Sequence, residues 1–232
     1  MTARALVVAI DGPSGSGKSS VSRAVAAQLG WRYLDTGAMY RAITAWMLEH
    51  GVDVNDESAV ASHSSRPTLH IATDPNVASI HVDDRDVTVE IRSDEVTAAV
   101  SAVSAVPDVR ARLVELQRDA VTEAKDEGRG IVVEGRDIGT VVLPDADVKI
   151  FLTASETERA RRRTDELAEQ RRVSDSGDVT STAAAIARRD HADSTRLVSP
   201  LSRAEDANTI DATDLSLDEV VARVLELVGH SA

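Results

Sequence analysis

The segment Gly12-Pro13-Ser14-Gly15-Ser16-Gly17-Lys18-Ser19 carries the most specific chemistry in this chain. It fits G-x-x-x-x-G-K-[ST] in full, and its flanks suit a phosphate-binding loop. A β-branched run, Leu6-Val7-Val8-Ala9-Ile10, precedes it, and Val21, Val25 and Leu29 recur every fourth residue after it. The spacing predicts a buried strand, a tight loop and a helix from about Lys18 to Leu29. Glycines let backbone N–H groups turn inward around phosphate oxygens, where a side chain would collide. The helix start adds the positive end of its dipole. In such a loop Lys18 reaches the β- and γ-phosphates, and the Ser19 hydroxyl is placed to ligate Mg²⁺. The plainer alternative, a glycine-rich turn without a ligand, fits this spacing and context poorly.

A phosphate-binding loop leaves switch GTPases, motor ATPases and small-molecule kinases open. The guanine-specifying N-K-x-D is absent, and 232 residues is short for a motor. With 26 Lys and Arg against 39 Asp and Glu, the formal net charge is −13. That balance argues against a nucleic-acid partner, whose electrostatic footprint is basic. Only three of the basic residues are lysines (Lys18, Lys125, Lys149). Arginine makes planar bidentate contacts to phosphate, so arginine clusters inside an acidic chain point to a small anionic ligand. The absence of cysteine excludes disulfide scaffolds, thiolate nucleophiles and Cys-ligated metals. No apolar run of about 18 residues exists, so no membrane partner is expected. The stretch Ala5–Ile10 closes at Asp11, too early for a signal-peptide core. The expectation is a cytoplasmic protein, and a monomer, since no exposed apolar heptad is evident.

The elements that must position this loop are built from Ala, Val, Leu and Ile, because the chain has only five aromatic residues (Trp31, Trp46, Tyr33, Tyr40, Phe151). Further strands are expected at Trp31–Leu34, Ile131-Val132-Val133, Val148–Leu152 and Asn208–Asp211. Helical patterns run over about 38–50, 93–104 and, after Pro107 in a first turn, 107–126. Ser155 with Glu158 predicts a capping box for a helix to about Gln170. A loop through Gly177 leads to a helix ending near His191. Ser216 with Glu219 caps a terminal helix with apolar Val220, Val221, Val224, Leu225 and Val228. Between residues 67 and 91, Leu69-His70-Ile71 and Ile80-His81-Val82 alternate around Asp74-Pro75-Asn76, which predicts a small antiparallel insert. Strands alternating with helices imply an α/β fold with a parallel sheet and right-handed crossovers.

Several further segments follow the loop in order: Asp35-Thr36-Gly37-Ala38-Met39-Tyr40-Arg41-Ala42, Glu90-Ile91-Arg92, Glu134-Gly135-Arg136-Asp137-Ile138-Gly139-Thr140-Val141-Val142, Pro144-Asp145-Ala146 and Lys149-Ile150-Phe151-Leu152. With the opening Ile10-Asp11-Gly12-Pro13-Ser14-Gly15, they resemble the motifs of bacterial cytidylate kinases, the first matching D-[ST]-G-x-x-Y-R. One departure is Glu134, where many members carry Asp; either carboxylate can position Mg²⁺ or water, with a different reach. The resemblance implies a P-loop NTPase fold similar to adenylate kinase, with a parallel five-stranded sheet flanked by helices. It implies a single kinase domain over 1–232, a CMP-binding region at about 37–110 with an insert at about 63–100, and a helical lid at about 155–177. The implied reaction is phosphoryl transfer from ATP and Mg²⁺ to CMP or dCMP, giving CDP or dCDP.

By the same resemblance Arg41 and Arg136 bind the acceptor phosphate, assisted by Arg92 and Thr36. Ser101, Arg110 and Asp137 would read cytosine. Asp193 would hold the ribose hydroxyls, and Arg189 and Arg196 would meet phosphate oxygens. Lys18, Arg136, Arg159 and Arg163 are the catalytic candidates, the last two closing over the transferring group. Plainer readings stand beside these. Arg41 and Arg136 could form surface ion pairs, although Arg136 directly follows a buried strand, at the sheet edge where ligands bind. Arg189, Asp193 and Arg196, at i, i+4 and i+7, would share a face of one continuous helix. As an ion-pair face that row is worth only ~0.3–0.5 kcal/mol. Arg159, Arg162 and Arg163 share a face with Arg161 turned away, and Glu156, Glu158 and Glu166 could pair with them. No general base is required, because the acceptor is already a phosphate anion. Catalysis would rest on alignment, charge neutralisation and exclusion of water. Two rival readings remain: another P-loop small-molecule kinase, such as a shikimate or dephospho-coenzyme A kinase, and a nucleotide-binding regulatory protein. The first lacks the D-T-G-x-x-Y-R segment and the insert; the second needs no arginine-lined acceptor pocket.

Overall fold

In a computed structural model describing residues 5–77, 79–171, 179–196 and 198–231, the first apolar run forms β1 (Val7–Asp11). It is followed by α1 (Lys18–Leu29), β2 (Arg32–Asp35), α2 (Thr36–Glu49) and α3 (Glu57–His63). A small sheet follows, made of β3 (Leu69–Ile71), β4 (Ile80–Val82) and β5 (Arg85–Asp86). The chain continues through α4 (Asp94–Ala105), α5 (Pro107–Asp126), β6 (Ile131–Gly135), β7 (Val148–Thr153), α6 (Glu156–Arg171), α7 (Val179–Thr195), β8 (Asn208–Asp211) and α8 (Leu217–Gly229).

Five strands pair in the order β2-β6-β1-β7-β8, all parallel. Alternate residues of each strand serve different layers. Val7, Ala9, Leu34, Ile131 and Val133 pack with α2, α4 and α5. Val8, Ile10, Val132, Val148, Ile150 and Leu152 pack with α1 and α8. Both faces are covered, which is why these strands read as unbroken apolar runs rather than alternating ones. The register sets Asp35, Ile10 and Glu134 side by side at the C-terminal edge. All three of the loops that follow β1, β2 and β6 therefore open on one side, the side where α/β sheets bind ligands.

The insert holds three antiparallel strands, where the sequence pointed to two. β5 is joined to β4 by the two-residue turn Asp83-Asp84, both with positive φ (49° and 66°), the geometry of a tight hairpin. A two-residue strand carries too little alternation to show in the sequence. The insert leans on β2, whose Tyr33 N–H donates to the Thr73 carbonyl at 2.8 Å. The short α3, capped by Asp56, was likewise without a strong sequence signal.

Two local expectations change. Ser155 accepts the Glu158 N–H at 3.3 Å, but the reciprocal half of the box is missing. The Glu158 carboxylate turns instead to Arg161 and Arg162, and the Ser155 N–H goes to Thr213 Oγ1 at 2.9 Å. Two charged donors outcompete one backbone N–H. α7 ends at Thr195, so Arg196 lies just past it rather than on a continuous helix, although its N–H still reaches the Ala192 carbonyl at 3.2 Å. The loop through Gly177 lies outside the described residues.

Asp11 joins the sheet to the turn after β6. Its buried carboxylate accepts the N–H groups of Ile138 at 2.8 Å and Gly139 at 2.7 Å, while burial pushes its pKa up to about 6. Asp11→Ala strands both donors in the interior, and each such group costs ~1–3 kcal/mol. A loss of about 2–6 kcal/mol is expected in urea unfolding. Unchanged stability would mean that the 138–142 turn is held by other contacts.

Candidate active site

The loop between β1 and α1 is shaped by two close approaches. Gly12 has φ 153°, and a Cβ there would lie 2.0 Å from the Leu152 carbonyl oxygen. At Gly15, φ is 75° and a Cβ would meet the Arg159 carbonyl oxygen at 2.6 Å. No other residue fits either position. Gly17 caps α1 without any side-chain bond, so the first N–H groups of the helix stay available to an anion. Lys18 is buried, and its ammonium donates to the Pro13 carbonyl at 2.7 Å. Burial first, and then the Arg136 charge, lowers its pKa.

The ends of β6 and β2 build the facing wall. Glu134 is buried, and burial, with the Asp35 charge next, raises its pKa. Its carboxylate accepts from Ser19 Oγ at 2.9 Å and from the Tyr33 hydroxyl. Asp35 caps α2 by accepting the Ala38 N–H at 3.0 Å, and Thr36 donates to the Glu134 carbonyl at 2.7 Å. Arg41, on α2, donates to the Ile91 carbonyl at 3.0 Å and Thr97 Oγ1 at 2.9 Å. Arg136 Nε donates to Asp193 Oδ2 at 3.2 Å, which links β6 to α7. Asp137 and Arg110 form a buried ion pair, with Arg196 Nη2 3.6 Å from the other carboxylate oxygen. Arg110 also lies over the Tyr40 ring, 5.4 Å from its centroid.

These groups surround one cleft of about 1150 Å³ including its open mouth. Lys18, Arg41, Arg92, Arg110, Arg136, Arg163, Arg189 and Arg196 line it. Against these eight cations stand five carboxylates, Asp35, Glu134, Asp137, Glu166 and Asp193. An acidic chain thus gathers a cationic excess in one place. Burial, with Arg189 next, lowers Arg41; burial, with Arg136 next, lowers Arg189. The cations are crowded, and among the described residues Arg189 Nε and Arg110 Nε are buried without a hydrogen-bond partner. Such a site suits a polyanion that neutralises the crowding and satisfies these donors.

Ser14, Gly15, Gly17, Ser19 and Thr36 join the cleft wall, while Gly12, Pro13 and Ser16 lie behind it as its framework. Two anticipated side chains are elsewhere. Ser101 is outside the wall; Val100 and Ser104, on the same helix, line it instead. Arg159 is buried behind the loop rather than exposed to the cleft. Its guanidinium donates to the carbonyls of Ala154 at 3.2 Å and Ser14 at 3.0 Å, and pairs with Asp190. The first turn of α6 packs directly on the loop, which leaves Arg159 no route inward. Arg163, one turn on, does face the cleft, paired with Glu166 at 2.7 Å. Arg92 also meets Glu166, at 3.5 Å. Arg162 reaches the Ser16 and Ala212 carbonyls and Glu158, and Arg161 points outward.

Three contributors escaped sequence reasoning. Asp190 accepts the Ser14 N–H at 2.9 Å, so α7 also grips the phosphate-binding loop. Tyr33 reaches Glu134 across neighbouring strands, and Ser104 replaces Ser101 at the wall. Only the adjacency of Asp190 to Arg189 hinted at any of them.

The donor set at the mouth of the cleft is hard oxygen. The exposed Ser19 hydroxyl and the Glu134 carboxylate meet there, and among the described residues no cluster of three or more His, Cys, Asp or Glu could cage a metal. That matches the way Mg²⁺ is usually held, by one or two protein oxygens together with substrate phosphates and water. Among the described residues no helix is long and apolar enough to cross a membrane.

Comparison with known proteins agrees with this architecture. The cytidylate kinase family model matches residues 8–230. The chain is 55% identical over 227 residues to a cytidylate kinase of Streptomyces avermitilis, covering 98% of this chain and 94% of that one. It is 54% identical to a cytidylate kinase of Rhodococcus opacus, covering 99% and 97%. It is 52% identical to one of Mycobacterium leprae, covering 96% and 95%. Among solved structures, an uncharacterized protein of Eubacterium ventriosum shares the fold at 13% identity, with a TM-score of 0.50 over 97% of this chain and 98% of that one. A family match that runs from the first strand to the last helix, with relatives above half identity along nearly their whole length, places the chain in the cytidylate kinase family.

Proposed function

We propose that this protein transfers the γ-phosphoryl group of ATP to CMP or dCMP, giving CDP or dCDP. The observation that carries the reading is the single cleft in which a phosphate-binding loop faces an arginine-lined pocket. The loop N–H groups and Lys18 hold the donor phosphates. Arg41 and Arg136 hold the acceptor phosphate, with Arg92 and Thr36 beside them. Arg163 and Arg189 neutralise charge on the transferring group. Arg110 and Asp137 read the base, and Asp193 holds the ribose. Mg²⁺ belongs at Ser19 and Glu134, where it would screen the phosphate charges. The acceptor needs no base, so the protein contributes alignment, electrostatic stabilisation and exclusion of water. Among the described residues, large exposed apolar side chains are few and spread over different segments, which supports a monomer.

An assay of ADP release with ATP, Mg²⁺ and a panel of nucleoside monophosphates tests the reading. CMP and dCMP should lead the panel. Turnover confined to a non-nucleotide acceptor, or none with any acceptor, would overturn it. One variant tests the ribose contact. Asp193→Ala should raise KM for CMP by about ten-fold or more, in line with ~1.5–3 kcal/mol for a charged hydrogen bond, and leave KM for ATP nearly constant. Equal shifts for both nucleotides would return Asp193 to a structural ion pair with Arg136.

A further inference from the structure

The Glu134 carboxylate is anchored at both oxygens. Oε2 accepts from the Ser19 hydroxyl at 2.9 Å, and Oε1 accepts from the phenol of Tyr33. Tyr33 is on β2, in register with Val132 of β6, and is buried in the layer that contains Val21, Val25 and Val132. Arg23 lies over its ring at 5.6 Å. The phenol therefore sits on a rigid strand with little freedom to move. Among the described residues it is the one side chain that donates to Oε1. Without it, the carboxylate would be free to rotate toward the neighbouring cations of the cleft.

We propose that Tyr33 is a positioning residue for the divalent cation, fixing the carboxylate of Glu134 so that its free lone pairs and the Ser19 hydroxyl oxygen converge on one point. This rests on the reading of Ser19 and Glu134 as the protein's cation ligands. Outer partners of this kind orient a ligand and raise its basicity, and losing one costs ~10–100-fold in metal affinity. The geometry also gives a reason for the longer carboxylate. An aspartate at 134 is one methylene shorter and would withdraw from the phenol.

Mn²⁺ serves as the probe, its binding to the enzyme–ADP complex followed by electron paramagnetic resonance. Tyr33→Phe keeps the ring and removes only the donor. It should weaken Mn²⁺ binding by about ten-fold, the lower end of the outer-partner range. The affinity for ADP without metal should stay within about two-fold of wild type. Glu134→Asp breaks the same contact from the other side. In that background Tyr33→Phe should add nothing, the non-additivity expected of residues acting through one contact. Unchanged Mn²⁺ affinity in Tyr33→Phe, with a loss in Glu134→Gln, would overturn the role of Tyr33 alone. Unchanged affinity in Glu134→Gln would overturn the placement of the cation itself.

Discussion

Lys18→Ala is expected to fold normally and to lose about 10³-fold in kcat, the scale seen when one donor to a developing charge is removed. Lys18 is buried, and its ammonium is held by the Pro13 carbonyl at 2.7 Å, inside the loop that it serves. Its charge is already disfavoured by burial and by Arg136, so it is costly to keep there without an anion. Phosphate oxygens reverse that penalty, and they do so most when charge shifts during transfer. The loss should therefore fall on kcat rather than on KM alone. Alanine removes a buried charge and leaves the glycine geometry of the loop untouched, so thermal unfolding should change little. Turnover near the wild-type rate would sink the assignment of this loop to the donor phosphates.

The second large effect is expected at Asp137, where the proposed chemistry is most selective. Cytosine offers an amino donor at its 4-position and an acceptor at N3; uracil offers the reverse. A carboxylate only accepts and a guanidinium only donates, so Asp137 and Arg110 match cytosine and oppose uracil. The pair is buried, and the contact between its members holds both in place before any base arrives. Asp137→Asn introduces a group that can both accept and donate. It also leaves Arg110, with Arg196 nearby, without a full counter-charge. Total activity should fall, but the ratio of kcat/KM for CMP over UMP separates recognition from that general damage. The ratio should narrow by about ten-fold or more, consistent with ~1–3 kcal/mol for an unpaired polar group. A lower rate with an unchanged ratio would reassign Asp137 to holding Arg110 and Arg196 in position.

Local spacing made the phosphate-binding loop and the parallel strands legible in the sequence. Glycines at fixed offsets, a lysine before a serine, and unbroken apolar runs each report on a neighbourhood of a few residues, and such neighbourhoods survive folding intact. The insert and the terminal capping box, Ser216 with Glu219, were legible for the same reason. Only the tertiary structure decided which arginines face the cleft. Arg159 and Arg163 are one helical turn apart and look alike along the chain, yet one is locked behind the loop by Ser14 and Asp190 while the other lines the wall. Likewise Val100 and Ser104, one turn apart on α4, line the wall while Ser101 does not, because the packing of α4 decides which of its faces meets the cleft. The contacts of Tyr33 with Glu134 and of Asp190 with Ser14 join residues 101 and 176 positions apart. A strand register and a helix packing angle create those contacts, and neither leaves a mark in the residues themselves.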